Sequence, residues 1–124
     1  MSTVLIVEDN EKNMKLARDV LQAKGYQTLE AISGEEGVKL AKERKPDLVL
    51  MDIQLPGING IEAFRQIRAD ATTRSIPVVA LTASVTPTDR SAITAAGFDA
   101  FISKPISLKD FLDTVKRLVD GRTR

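Results

Sequence analysis

The sequence predicts an α/β fold: a doubly wound, five-stranded parallel sheet with five helices in one domain spanning residues 1–124. Three observations predict it. Apolar, β-branched runs of four or five residues recur along the chain, and each is followed by a segment with helical spacing. Glycine, proline and cap residues separate the two kinds of segment with short connections. No linker, repeat or low-complexity stretch interrupts the alternation. Strands that alternate with helices imply right-handed crossovers and helices on both faces of a parallel sheet.

The elements follow in order. Thr3 to Val7 (TVLIV) is the first strand and runs into Glu8 and Asp9. Asn10 caps a helix whose inner face reads Met14, Ala17, Val20 and Leu21, and Gly25 stops it. Gln27 to Ala31 is a weaker strand. Ser33 with Glu36 forms a capping box for a helix to about Arg44, which Pro46 ends. Leu48 to Met51 is apolar throughout, as a strand buried on both faces should be, and it delivers Asp52. Pro56, Gly57 and Gly60 make a tight loop, after which Asn59 and Glu62 repeat the cap pattern ahead of Ile61, Phe64 and Ile67.

Pro77 opens the run Val78 to Leu81, which ends in Thr82. Thr86, Pro87 and Asp89 supply an N-cap, an N1 proline and an acidic first turn for a fourth helix that stops at Gly97. Phe98 to Ile102 reads as the last strand, finishing at Ser103, Lys104 and Pro105. Ser107 with Asp110 starts the final helix, with Leu108, Phe111, Leu112, Val115, Leu118 and Val119 at helical spacing. The most economical strand order is the flavodoxin-like 2-1-3-4-5, with strands 1 and 3 flanking the topological switch point.

Composition narrows the chemistry. Hydrophobic content of 43% with 28% charged residues is that of an ordinary soluble domain. A net charge of +1 supplies no general attraction to nucleic acid or membrane surfaces. No apolar run is long enough to span a bilayer and no signal sequence is present, so cytoplasmic residence is expected. With no cysteine and no histidine, disulfides, thiolate catalysis and imidazole metal sites are excluded, and any phosphohistidine must come from another molecule.

The residues that end the strands carry the functional signal. Strand 1 ends in Glu8 and Asp9, strand 3 in Asp52, strand 4 in Thr82 and strand 5 in Lys104. Each has a plain structural role on its own: a cap or turn, a helix-dipole partner, a β-branched strand residue, an exposed charge. Together they place three carboxylates, a hydroxyl and an ammonium at one sheet edge. Close carboxylate pairs repel by about 4 kcal/mol at 4 Å and an effective dielectric near 20. An all-oxygen set of this kind suits a hard cation, with Mg²⁺ the leading candidate. A cation and Lys104 would together attract a phosphoryl group, and Asp52 would be its in-line nucleophile.

At these residues the chain resembles the receiver domains of bacterial two-component response regulators. VLIVEDN, MDIQLPGING, VVALTAS and FISKPIS carry the resemblance over essentially the whole length, and it is greatest to small stand-alone regulators. The resemblance implies that Asp52 takes a phosphoryl group from a sensor histidine kinase or a histidine phosphotransfer protein. It implies Mg²⁺ held by Asp9, Asp52 and the main-chain carbonyl of Gln54, with Glu8 reaching the ion mainly through water. Thr82 and Lys104 would bind phosphoryl oxygens, and the Lys104–Pro105 peptide would be cis.

By the same resemblance Phe101 is the aromatic switch, moving with Thr82 and reshaping the face made by the fourth helix, fifth strand and fifth helix. Gln54 and Ser84 occupy positions that tune dephosphorylation. The chain would not be a turnover enzyme. Its output would be contact with a downstream protein, as a monomer or weak dimer, because there is no room for a DNA-binding module. Three alternatives remain: an aspartate-nucleophile phosphatase, a flavodoxin-like electron carrier, and a degenerate receiver that only binds. Against the first, Gln54 stands where such phosphatases carry an acid/base aspartate. Against the second, EDNEKN after strand 1 would repel a flavin phosphate.

Overall fold

The computed structural model describes residues 2–55, 57–83 and 87–122. Ten elements alternate: β1 (Thr3–Val7), α1 (Glu11–Ala23), β2 (Gln27–Ala31), α2 (Gly34–Arg44), β3 (Leu48–Asp52), α3 (Gly60–Ala69), β4 (Val78–Thr82), α4 (Pro87–Ala96), β5 (Ala100–Ser103) and α5 (Leu108–Arg122). All strand pairs are parallel and the order is β2-β1-β3-β4-β5, as expected.

The two faces of the sheet bury different helices because successive side chains on a strand point to opposite sides. Val4 and Ile6 of β1 and Leu48 and Leu50 of β3 pack with Leu21 of α1 and with Phe111 and Val115 of α5. Leu5, Val7, Val49 and Met51 face the other way, onto Val38 of α2 and Phe64 and Ile67 of α3. Every residue of β3 and β4 is buried, whereas the edge strands β2 and β5 are partly exposed. Truncating Phe64 or Phe111 to alanine would cost about 3–5 kcal/mol.

The local signals act as read. The side chains of Asn10, Ser33 and Asn59 accept from the main-chain N–H three residues on, at 3.1, 3.2 and 2.9 Å. Gly25 and Gly97 follow α1 and α4 with φ of 91° and 98°, the left-handed conformation that ends a helix without a Cβ penalty. The Thr86 cap and Ser84 lie outside the described residues.

Three expectations need correction. β5 starts at Ala100, not Phe98. Phe98 instead stacks on Phe64 with ring centroids 4.1 Å apart, and the Asp99 carboxylate accepts from Val78 N at 2.8 Å, so both residues serve the loop below the strand. Leu108 is 49% exposed: it opens α5 one turn ahead of Phe111, Val115 and Val119, which are the residues of that helix buried in the core. Ile61 is only half-buried, and the inner face of α3 is Gly60, Ala63, Phe64 and Ile67.

Candidate functional site

Register brings the strand-end residues together. Val7 pairs with Met51, so Glu8 and Asp52 emerge side by side from β1 and β3. Asp52 pairs with Leu81 and Thr82 with Ser103, so Thr82 and then Lys104 follow along the same edge. The main-chain N–H of Lys104 donates to the Thr82 carbonyl at 2.8 Å, fixing the two residues relative to each other. The Lys104–Pro105 peptide is cis.

Glu8 is 1% exposed and Asp52 3% exposed, whereas Asp9 faces solvent. Carboxylate oxygens of the three lie within 4.8 Å of one another. Lys104 Nζ stands 3.1 Å from Asp52 Oδ2 and 2.7 Å from Glu8 Oε1. The Asp52 carboxylate is held at both oxygens, since Gln54 N–H donates to Oδ1 at 2.9 Å. Glu8 Oε2 accepts from Asn10 N at 3.2 Å, which ties the buried acid to the cap of α1. Glu8 Oε1, despite its ion-pair distance from Lys104, receives no aligned hydrogen bond.

These contacts leave the acids under-compensated. Burial, and then the neighbouring Asp52 carboxylate, push Glu8 up to about 7, against a weaker downward pull from Lys104. Burial works against the charge of Lys104, but its contacts with Glu8 and Asp52 outweigh that and raise its pKa. A second cation would relieve the crowding. Its donors would all be oxygen, two of them on buried carboxylates and one of those without an aligned hydrogen bond, which fits Mg²⁺. Beside the acids, between α1 and the end of β2, opens a groove of about 460 Å³ whose walls include Lys12, Lys15 and Ile32.

Not every expected residue joins this cluster. Phe101 sits half-buried on β5, away from the acids, with the Arg90 guanidinium 4.9 Å from its ring centroid. Gln54 meets Asp52 through its main-chain N–H. The contact between Gly60 and the backbone of Asp52 escaped the sequence reading, because a loop glycine announces only a turn.

A five-stranded sheet in this order, with an acid cluster and a lysine at its carboxyl edge, defines the CheY-like class of signalling domains. The chain belongs to the response regulator receiver domain family, whose model matches residues 4–116. It is 49% identical over 114 residues to the polar-differentiation response regulator DivK of Brucella ovis, covering 92% of this chain and 93% of that protein. Among solved structures it is similar to the receiver domain of a sensor histidine kinase of Pseudomonas aeruginosa PAO1, determined with a magnesium ion coordinated in its active-site cleft. That likeness has 31% identity and a TM-score of 0.90, over 96% of this chain and 98% of the other. The signal receiver domain of a signal transduction histidine kinase from Syntrophus aciditrophicus is 32% identical with a TM-score of 0.91, covering 98% and 92%. The protein is thus a receiver of two-component signalling, similar to DivK.

Proposed function

We propose that this chain is a phosphorylation-dependent switch, a single receiver domain in which Asp52 is the phosphoacceptor. The observation that carries the reading is Asp52 itself: a buried carboxylate gripped by Lys104 on one oxygen and by Gln54 N–H on the other, beside Glu8 and Asp9. A carboxylate so oriented is prepared to attack in line, which removes much of the entropic cost of the encounter. One Asp52 oxygen forms the bond to phosphorus as the P–N bond of a phosphohistidine breaks. The electron pair returns to the imidazole, which takes up a proton, and Asp52 becomes an acyl phosphate.

Asp9, Asp52 and the Gln54 carbonyl would hold Mg²⁺, with Glu8 acting mainly through water, and the ion would supply positive charge for the phosphoryl oxygens. Lys104 leaves its acid partners to pair with one of these oxygens, and the Thr82 hydroxyl bonds another. Thr82 and Phe101 then carry the change to the face formed by α4, β5 and α5. Gln54 and Ser84 set how long the phosphoryl group stays.

The donor in this reading is a sensor histidine kinase or a histidine phosphotransfer protein, and the reader is a downstream protein, not nucleic acid or membrane. The chain acts in the cytoplasm as a monomer or weak dimer, and its only chemistry is its own phosphorylation and dephosphorylation. No described helix is long and apolar enough to cross a membrane.

Acetyl phosphate with Mg²⁺ should label the protein, and Asp52→Asn should abolish the label. Equal labelling of that variant would place the acceptor elsewhere.

A further inference from the structure

We propose that Gly60, the first residue of α3, is a positioning residue for Asp52, acting through the Asp52–Ile53 peptide. The inference rests on the reading of Asp52 as phosphoacceptor and cation ligand. After β3 the chain turns and returns at Gly60, whose N–H donates to the Ile53 carbonyl at 3.0 Å. The loop therefore closes on the residue next to Asp52.

The closure leaves no room for a side chain. A Cβ at residue 60 would lie 2.2 Å from the Asp52 carbonyl oxygen, 2.7 Å from Ile53 Cα and 2.9 Å from the Asp52 carbonyl carbon. All three are main-chain atoms, so no rotamer change relieves the contact. At Gly57 the comparable neighbour is the Glu35 carboxylate, the far end of a flexible side chain. Reaching ordinary contact distance at residue 60 needs a shift of about 1 Å.

Neither side can take up that shift alone. Ala63, Phe64 and Ile67 are buried and seat α3 against the sheet. The Asp52–Ile53 peptide is anchored by Ile53 N–H on the Leu81 carbonyl at 2.9 Å, and just beyond it Gln54 N–H orients Asp52 Oδ1. Moving the peptide therefore moves both the carboxylate and the loop that follows it.

Backbone preference does not explain a glycine here. Gly60 lacks the positive φ of Gly25, Gly57 and Gly97, and alanine is favoured over glycine within a helix by about 1 kcal/mol. Any loss in Gly60→Ala is thus owed to the contact.

The test compares the wild type, Gly60→Ala and Ile67→Val, a core change in α3 that lowers stability without touching the peptide. Each is studied well below its melting temperature. Titration with Mg²⁺ alone should show binding weakened about fivefold or more in Gly60→Ala, and acetyl phosphate labelling slowed about tenfold or more. Ile67→Val should alter neither. Wild-type values in Gly60→Ala, or an equal loss in Ile67→Val, would overturn the proposal.

Should Gly60→Ala fail to fold, Asn59→Ala decides, since it removes the side chain that accepts from Glu62 N and loosens the same helix start. Mg²⁺ binding should then weaken about twofold, and unchanged binding would reject the role. Failure of Asp52→Asn to lose its label would instead strike at the acceptor assignment, so the two failures are told apart.

Discussion

The two edges of the sheet handle partly buried charge in opposite ways. At the amino edge one cation meets two carbonyls and one carboxylate. Arg68 donates to the carbonyls of Arg74 and Ile76 at 3.0 and 2.5 Å and to Asp99 Oδ2 at 2.5 Å, and its guanidinium lies 4.8 Å from the Phe64 ring centroid. Asp99 accepts in addition from Val78 N. At the carboxyl edge three carboxylates face one ammonium, and a buried oxygen of Glu8 lacks an aligned hydrogen bond. The first arrangement balances one cation with one acid and locks α3 to the loops before β4 and β5. The second is incomplete, and what would complete it is an added cation. Closure marks structure; an open charge balance marks a site.

The comparison can be broken at either edge. The largest effect should come from Arg68→Ala, which strips the donor from Asp99 and two carbonyls. We expect a stability loss of about 3 kcal/mol, seen as a lower melting temperature. Labelling per folded molecule should be unchanged at low temperature. If labelling fell with stability intact, the amino edge would be part of the switch.

Asp9→Ala should act in the reverse sense. Mg²⁺ affinity should fall on the order of 100-fold by titration, with the metal-free protein no less stable, because a like charge has been removed from the cluster. Unchanged affinity would mean that the cation sits elsewhere.

The third effect is smaller and depends on pH. Folded Glu8 titrates at about 7 against 4.5 in an unfolded chain, so the folded state binds the proton more tightly. Metal-free stability should therefore fall as pH rises from 4.5 through 7 and level off above. Mg²⁺ must displace that proton, so its affinity should tighten by up to about tenfold per pH unit below 7 and flatten beyond. Glu8→Gln should remove most of both slopes. Melting curves and Mg²⁺ titrations across pH 5–8.5 check the sign, and slopes that survive Glu8→Gln would assign the proton to another group.

Most of the architecture was legible along the chain. VLIV, LVLM and VVAL are continuous apolar runs, and such runs read as strands covered on both faces. Asn10, Ser33 and Asn59 announced their helices because a cap is a contact over three residues. The readings that failed were those where distant partners decide. Phe98 looked like strand because it is aromatic and precedes β5, but Phe64 on α3 claims its ring. Leu108 kept the helical period yet stays exposed in the first turn of α5.

The sequence alone determined which residue types end which strands, since local periodicity and caps set element boundaries to within a residue or two. It therefore placed Glu8, Asp9, Asp52, Thr82 and Lys104 at one edge once parallel topology was inferred. Only the tertiary structure decided the rest. Register made Glu8 and Asp52 neighbours, burial raised the affinity of Glu8 for its proton, and Lys104 came to lie between the two acids. The closeness of Gly60 to the Asp52 carbonyl was likewise invisible, because a glycine records the absence of a side chain and not the neighbour that requires it. Such contacts depend on how elements far apart in the chain are seated against one another, and no local pattern encodes that distance.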